Sequence, residues 1–199
     1  MRTNSRRALT PLALAVLEIL HERPRHPYDI QQTLQDRHTD VLIKVRAGSL
    51  YHTVERLAEH QLIEPVETSR SGRRPERTLY SITEQGRDEF GLAVRSLLGR
   101  PVPEYPVFGA ALACMHAIDR EAALDQLRRR AVGLDAEIAS WERIALSLEE
   151  RRLPEVFWID ARYRLALHHA ELAFVNDVIK RISAGDLPWP PVDKDGDQT

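Results

Sequence analysis

Val45-Arg46-Ala47-Gly48-Ser49-Leu50-Tyr51-His52-Thr53-Val54-Glu55-Arg56-Leu57 is followed by a short apolar stretch and then by Thr68-Ser69-Arg70-Ser71-Gly72-Arg73-Arg74-Pro75-Glu76-Arg77-Thr78. In the first run Leu50, Val54, Leu57 and Leu62 recur at helical spacing, so one face of a short helix is apolar and suited to burial. Gly48, His52, Glu55, Arg56 and Glu59 fall on the opposite, polar face. Residues 63–67 and 78–82 read as two strands, and the Ser/Gly/Pro loop between them holds four arginines and one glutamate. A helix with a polar outer face, backed by a cationic hairpin tip, suits a DNA groove and its flanking phosphates. A solvated helix beside an ordinary charged loop gives the same pattern, because a basic patch is only a footprint.

Working outward, a chain of 199 residues has room for one or two domains and a sizeable core. Charged residues make up 29% and apolar ones 43%, the composition of a soluble globular protein. The single cysteine, Cys114, excludes an internal disulfide and fits a reducing compartment. The net charge of -2 is unevenly spread: residues 1–99 carry +2, residues 100–199 carry -4, and residues 68–78 alone carry +3. Local field matters more than the total for an anionic partner. Arg2, Arg6 and Arg7 before an apolar run imitate a secretory signal, but Glu18 interrupts the run and no small-residue cleavage pair follows. The run is therefore expected to be a buried helix. With no stretch near the ~18 apolar residues of a membrane span, no membrane partner and a cytoplasmic location are expected.

Thr10-Pro11 starts the first helix, which should end near Glu22, before Pro24. His26-Pro27 opens a second, to about Arg37, with Ile30 and Leu34 inward. The third begins near Ala47, after Arg46, which has no acceptor to cap it. Thr83 caps a fourth, with Glu84 in its first turn, expected to reach about Leu98. Three prolines within residues 99–106 mark a linker. Residues 107–118 read as an apolar helix and Asp119 as the start of a long one. In it Leu124, Leu127, Ala131, Leu134, Ile138, Trp141, Ala145 and Leu148 alternate spacings of three and four, a heptad seam. Such a seam meets another long helix, either residues 155–182 of this chain or a helix of a second copy.

Gly48-Ser49-Leu50-Tyr51, Arg56-Leu57, Leu62-Ile63, Gly72-Arg73-Arg74-Pro75, Tyr80 and Thr83-Glu84-Gln85-Gly86-Arg87 follow one another over roughly forty residues, and in this order they resemble the PadR family of transcriptional regulators. Pro27-Tyr28 also fits the family pattern. Two positions depart from it: Arg46 stands where a capping Ser, Thr or Asn is common, and Gln61 where a glycine usually ends the helix. In a left-handed conformation Gln61 costs about 1 kcal/mol.

The resemblance implies a mainly α fold with a β-hairpin wing. Residues 1–98 would form a winged helix-turn-helix DNA-binding domain, 99–106 a linker, 107–190 a helical, coiled-coil-like dimerisation domain, and 191–199 a loose tail. It also implies a homodimeric regulator of double-stranded DNA with two half-sites, typically a repressor released by a small molecule. DNA contact is expected from Arg46, Ser49, Tyr51, His52 and Arg56 on the third helix and from Arg70, Gly72, Arg73, Arg74 and Arg77 on the wing. Leu127, Leu134, Ile138 and Trp141 are the candidates for the dimer seam. Phe108, Met115, Trp141, Trp158 and His168 are candidates for a pocket taking a small aromatic effector, with Cys114 or His116 as a further polar handle. The competing reading is a winged helix used only to bind protein. Cys114, His116, His168 and His169 match no metal-ligand spacing, adjacent histidines on a helix point about 100° apart, and no nucleophile elbow, phosphate loop or HExxH occurs. Neither metal, cofactor nor catalysis is expected.

Overall fold

The computed structural model describes residues 9–37, 39, 47–69 and 77–190. The chain divides into two compact units, Met1–Pro103 and Glu104–Thr199. No helix among the described residues is long and apolar enough to cross a membrane.

In the first unit α1 (Pro11–Glu22) starts where the Thr10 Oγ1 accepts from the Ala13 N–H at 3.2 Å, with Pro11 at a position that needs no donor. Half of its residues are buried, Val16, Leu17, Ile19 and Leu20 almost completely, which is why its apolar pattern runs nearly all round. Helix α2 (Pro27–Asp36) adds Ile30 and Leu34 to the same core, and α3 (Ala47–Glu59) adds Leu50, Val54 and Leu57. Leu62 belongs to that core too, but not as part of the α3 face expected from its spacing. Helix α3 ends at Glu59, and Gln61 N–H bonds to the Ala58 carbonyl at 2.9 Å and Leu62 N–H to the Leu57 carbonyl at 2.9 Å. Those two bonds form a Schellman cap, with Gln61 taking the left-handed position at φ 58.

The cap turns the chain into β1 (Ile63–Ser69), antiparallel to β2 (Arg77–Ile82), each strand longer than its apolar run suggested. Buried Ile63 faces buried Ile82, and an irregularity between Pro65 and Glu67 leaves Val66 exposed, as at a bulge. Arg25 pairs with Tyr80 through two backbone bonds of 3.0 Å, so the segment before α2 braces the hairpin. Helix α4 (Glu84–Gly99) is capped by Thr83, whose Oγ1 accepts from the Gly86 N–H at 3.0 Å and donates to the Gln61 carbonyl at 2.7 Å. A Cβ at Gly86 would stand 2.0 Å from the Leu62 carbonyl oxygen, so only glycine lets α4 seat on this turn.

A charge cluster joins α1 to the end of α2. Arg37 reaches Glu22 at 2.6 Å and Glu18 at 3.2 Å, and Arg25 reaches Glu22 at 3.0 Å. Burial pushes the Glu18 carboxyl up, against the pull of Arg37. Burial acts on Glu22 in the same sense, but hydrogen bonds and charge from Arg37 and then Arg25 outweigh it and hold that carboxyl below its ordinary value.

The second unit is helical. Helix α5 (Val107–Cys114) stops earlier than its apolar run, which continues as a single 3-10 turn over Met115–Ala117. Asp119 then caps α6 (Arg120–Glu150), accepting from the Glu121 and Ala122 N–H groups at 3.0 and 3.2 Å. Arg152, left-handed at φ 54, and a 3-10 turn over Glu155–Phe157 lead into α7 (Ile159–Ala184), which ends in a Schellman cap on Gly185 at φ 81. Helices α6 and α7 pack antiparallel: Leu124, Leu127 and Leu134 of one bury against Val175, Val178 and Ile182 of the other. Arg120 Nη2 donates to the Ile182 carbonyl at 2.8 Å, and Trp189 Nε1 to the Ile118 carbonyl at 3.0 Å, closing one end of the hairpin.

Candidate nucleic-acid interface

Helix α3 separates its two faces as its sequence implies. Leu50, Thr53, Val54 and Leu57 are buried, and Thr53 Oγ1 satisfies itself on the Ser49 carbonyl at 2.7 Å. Ser49, His52, Glu55 and Arg56 are exposed and share an arc of about 120° at 100° per residue, with Tyr51 on its flank. His52 Nδ1 stands 3.7 Å from a Glu55 carboxylate oxygen, too far for a hydrogen bond, so its ring can turn outward. The face offers hydroxyl, imidazole, guanidinium and phenol groups, the donor and acceptor types that read base edges and phosphates.

Behind it, β1 and β2 bring Ser69 opposite Arg77. Arg46, Arg70, Gly72, Arg73 and Arg74 lie outside the described residues, and for Arg77 only the strand position is described. The hairpin is held at both sides of its base. The Arg25–Tyr80 pairing fixes β2, and Thr83 with Gly86 fixes the turn before β1. Arg25 also donates to Thr33 Oγ1 at 3.0 Å, tying the same support to α2. This brace escaped the sequence reading, since Arg25 and Tyr80 carry no pattern that joins them.

The residues expected to form an interface between copies are buried within their own chain: Leu127 and Leu134 pack against Val175, Val178 and Ile182 of α7, and Ile138 and Trp141 are buried farther along α6. The heptad pattern identified a helix–helix seam, and its partner is α7 of the same chain.

The five residues expected to line one effector pocket occupy two places. Phe108 and Met115 pack on the cluster around Leu124, Leu127 and Ile182, with the Arg130 guanidinium 3.5 Å above the Phe108 ring. Trp141 lies on α6 about 16 Å farther along than Arg130, at 1.5 Å per residue. There it faces Arg164, whose guanidinium carbon is 5.3 Å from the ring centre. His168 is one turn beyond Arg164, with Nε2 4.0 Å from Glu137 Oε2. Trp158 is buried, and its Nε1 donates to the Leu153 carbonyl at 3.2 Å. Phe108 and Trp141 thus stand at different levels of the hairpin, each under its own arginine. Clefts of about 560 and 430 Å³ lie elsewhere, along α4 at Glu84, Asp88 and Leu92 and beside α2 at Arg23, Asp29 and Gln32.

A polar-faced helix followed by a braced two-stranded hairpin, all on one core of α1 to α4, defines a winged helix-turn-helix domain. That domain is of the PadR-like transcriptional regulator family, whose model matches residues 16–92. No curated protein sequence matches the chain. Among solved structures the chain is similar to Bacillus subtilis PadR in complex with operator DNA, at 16% identity over 87% of this chain and 99% of that one, with a TM-score of 0.71. It is similar to the same protein in complex with p-coumaric acid, at 16% identity over 87% and 99% of the two chains and a TM-score of 0.69. It also resembles the Vibrio cholerae virulence activator AphA, at 19% identity, 87% and 99% coverage and a TM-score of 0.65. At these identities the likeness is one of fold, and it extends through the helical second unit.

Proposed function

We propose that this protein is a sequence-specific DNA-binding transcriptional regulator that acts as a homodimeric repressor and is released by a small-molecule effector. The observation that carries the reading is the exposed polar face of α3, held beside a braced hairpin within a PadR-like domain. In this reading Ser49, Tyr51, His52 and Arg56 meet bases and phosphates, Arg46 lies at the helix start, and Arg70, Gly72, Arg73, Arg74 and Arg77 meet the backbone beside the groove. Residues 1–98 carry DNA contact, 99–106 connect, and 107–190 carry dimerisation and effector response. The complexes of B. subtilis PadR with operator DNA and with p-coumaric acid support both halves of the proposal. The likeness to an activator as well means that repression has to be tested on the target promoter.

The test is selection of duplexes from a random library by the full chain, followed by binding at graded salt. Log affinity should fall linearly with log salt, and Arg73→Ala with Arg74→Ala should flatten that slope by ~1 to 2 units, near 0.9 for each phosphate no longer neutralised. A winged helix used only to bind protein would select no duplex and show no such slope. An unchanged slope in the double variant would take the wing off the DNA.

A further inference from the structure

We propose that Glu55 is a base-reading residue that accepts a hydrogen bond from the N4 amino group of a cytosine in the major groove, which rests on the DNA-binding reading above and gives it a base preference. Leu50, Thr53, Val54 and Leu57 bury one side of α3. At 100° per residue, Gly48, His52, Glu55 and Glu59 lie within about 30° of the line opposite, whereas Ser49, Tyr51 and Arg56 stand roughly 70–90° to either side. The outermost line of the helix therefore carries two carboxylates and no guanidinium. An element that meets polyanionic DNA is most acidic where it reaches farthest.

Among the described residues no hydrogen-bonded partner accounts for Glu55. Its neighbours one turn away along α3 are Tyr51, His52, Ala58 and Glu59, none of them Lys or Arg. Glu59 is a like charge four residues on, which weakens the helix, and it stands at the C-terminal end, where the dipole disfavours an anion. His52 Nδ1 is 3.7 Å from Glu55 Oε2, beyond a hydrogen bond, and the Glu55 side chain stays 70% exposed. In the same unit Glu18 and Glu22 are both met by Arg37, at 3.2 and 2.6 Å. Gly48, on the outermost line too, has nothing within 4 Å of an added Cβ, so its missing side chain serves close approach from outside. A carboxylate on this line is repelled by phosphates unless it finds a donor, and the major groove offers two, the amino groups of cytosine and adenine. Adenine N6 lies between two acceptors, its own N7 and the O4 of the paired thymine, which repel a carboxylate. Cytosine N4 has an acceptor on one side only, the guanine O6, so the carboxylate selects cytosine.

Selection of duplexes from a random library by the full chain, repeated with Glu55→Ala and Glu55→Gln, tests this. Both substitutions fall on an exposed helical position and introduce good helix formers, so the fold is kept. The parent should select a motif with cytosine at one position, and Glu55→Ala should lose that preference alone, by about tenfold. The same variant should bind random duplexes more tightly, because a charge repelled by the phosphates is gone. Glu55→Gln should move the preference at that position toward adenine, since an amide accepts from N6 and donates to N7. An identical motif in all three chains would overturn the proposal and leave DNA binding standing. So would a loss spread evenly over the motif, or a change confined to a position where the parent selects an A·T pair. If the parent selects no duplex, the DNA-binding reading itself falls and this inference falls with it.

Discussion

A Cβ built on Gly48 meets nothing within 4 Å, and the residue, in the first turn of α3, is not held in a left-handed conformation. The other two informative glycines have internal reasons: Gly185 takes φ 81 at a helix end, and Gly86 sits against the Leu62 carbonyl. A helical glycine without such a reason costs roughly 0.5–1 kcal/mol relative to alanine. The cost at Gly48 becomes intelligible if something outside the chain must approach the backbone there, as a phosphate does at the start of a recognition helix. Gly48→Ala is therefore expected to raise the thermal midpoint while weakening DNA binding. The two effects are read by melting and by titration of a selected duplex on the same preparation. A stabilised variant with undiminished affinity would place this turn away from the DNA.

At the scale of the element, α1 and α2 are joined by carboxylates that respond to pH in opposite senses. Glu22 is held below its ordinary value, so the stability it lends is present above the unfolded carboxylate range and is lost as pH falls through it. Glu18 is raised by burial, so its ionised form detracts from the fold and protonation relieves it as pH falls. Glu22→Gln should lower the melting temperature at pH 7, with the difference closing as pH falls below the ordinary carboxylate range. Glu18→Gln should leave it unchanged or raise it. Equal losses from both at pH 7 would show that the cluster acts through packing and not through charge. Elements were legible where their signals are local: Thr10-Pro11, Thr83 and Asp119 cap helices where they stand in sequence, and the polar and apolar faces of α3 follow from periodicity alone. The Arg25–Tyr80 brace and the Arg37–Glu22 link were not, because they join distant residues that no spacing rule connects. Gln61 is the intermediate case: the resemblance gave its place, and the Schellman bonds explain its left-handed backbone.

For the whole molecule, what the sequence left open is which chain a helical seam belongs to. Leu127, Leu134, Ile138 and Trp141 read the same whether α6 meets α7 of its own chain or a second copy, since periodicity specifies a partner helix and not its origin. With that seam closed internally, exposed apolar side chains line one stripe of α7. Tyr163, Leu167 and Phe174 are 65%, 51% and 50% exposed and follow one another at spacings that put them on one stripe. Helix α5 has no buried residue despite its apolar sequence. Large apolar side chains aligned along a helix are the material of a protein interface, and a regulator reading two half-sites needs a second copy held at fixed spacing. The expectation is that Leu167→Glu with Phe174→Glu yields a folded monomer by sedimentation and circular dichroism and loses most of its affinity for selected duplexes. Leu134→Glu should instead unfold the second unit, because it places a charge inside the α6–α7 seam. A double variant that sediments as a tight dimer would remove the α7 stripe from the interface. A Leu134→Glu chain that stays folded but becomes monomeric would return the α6 seam to it.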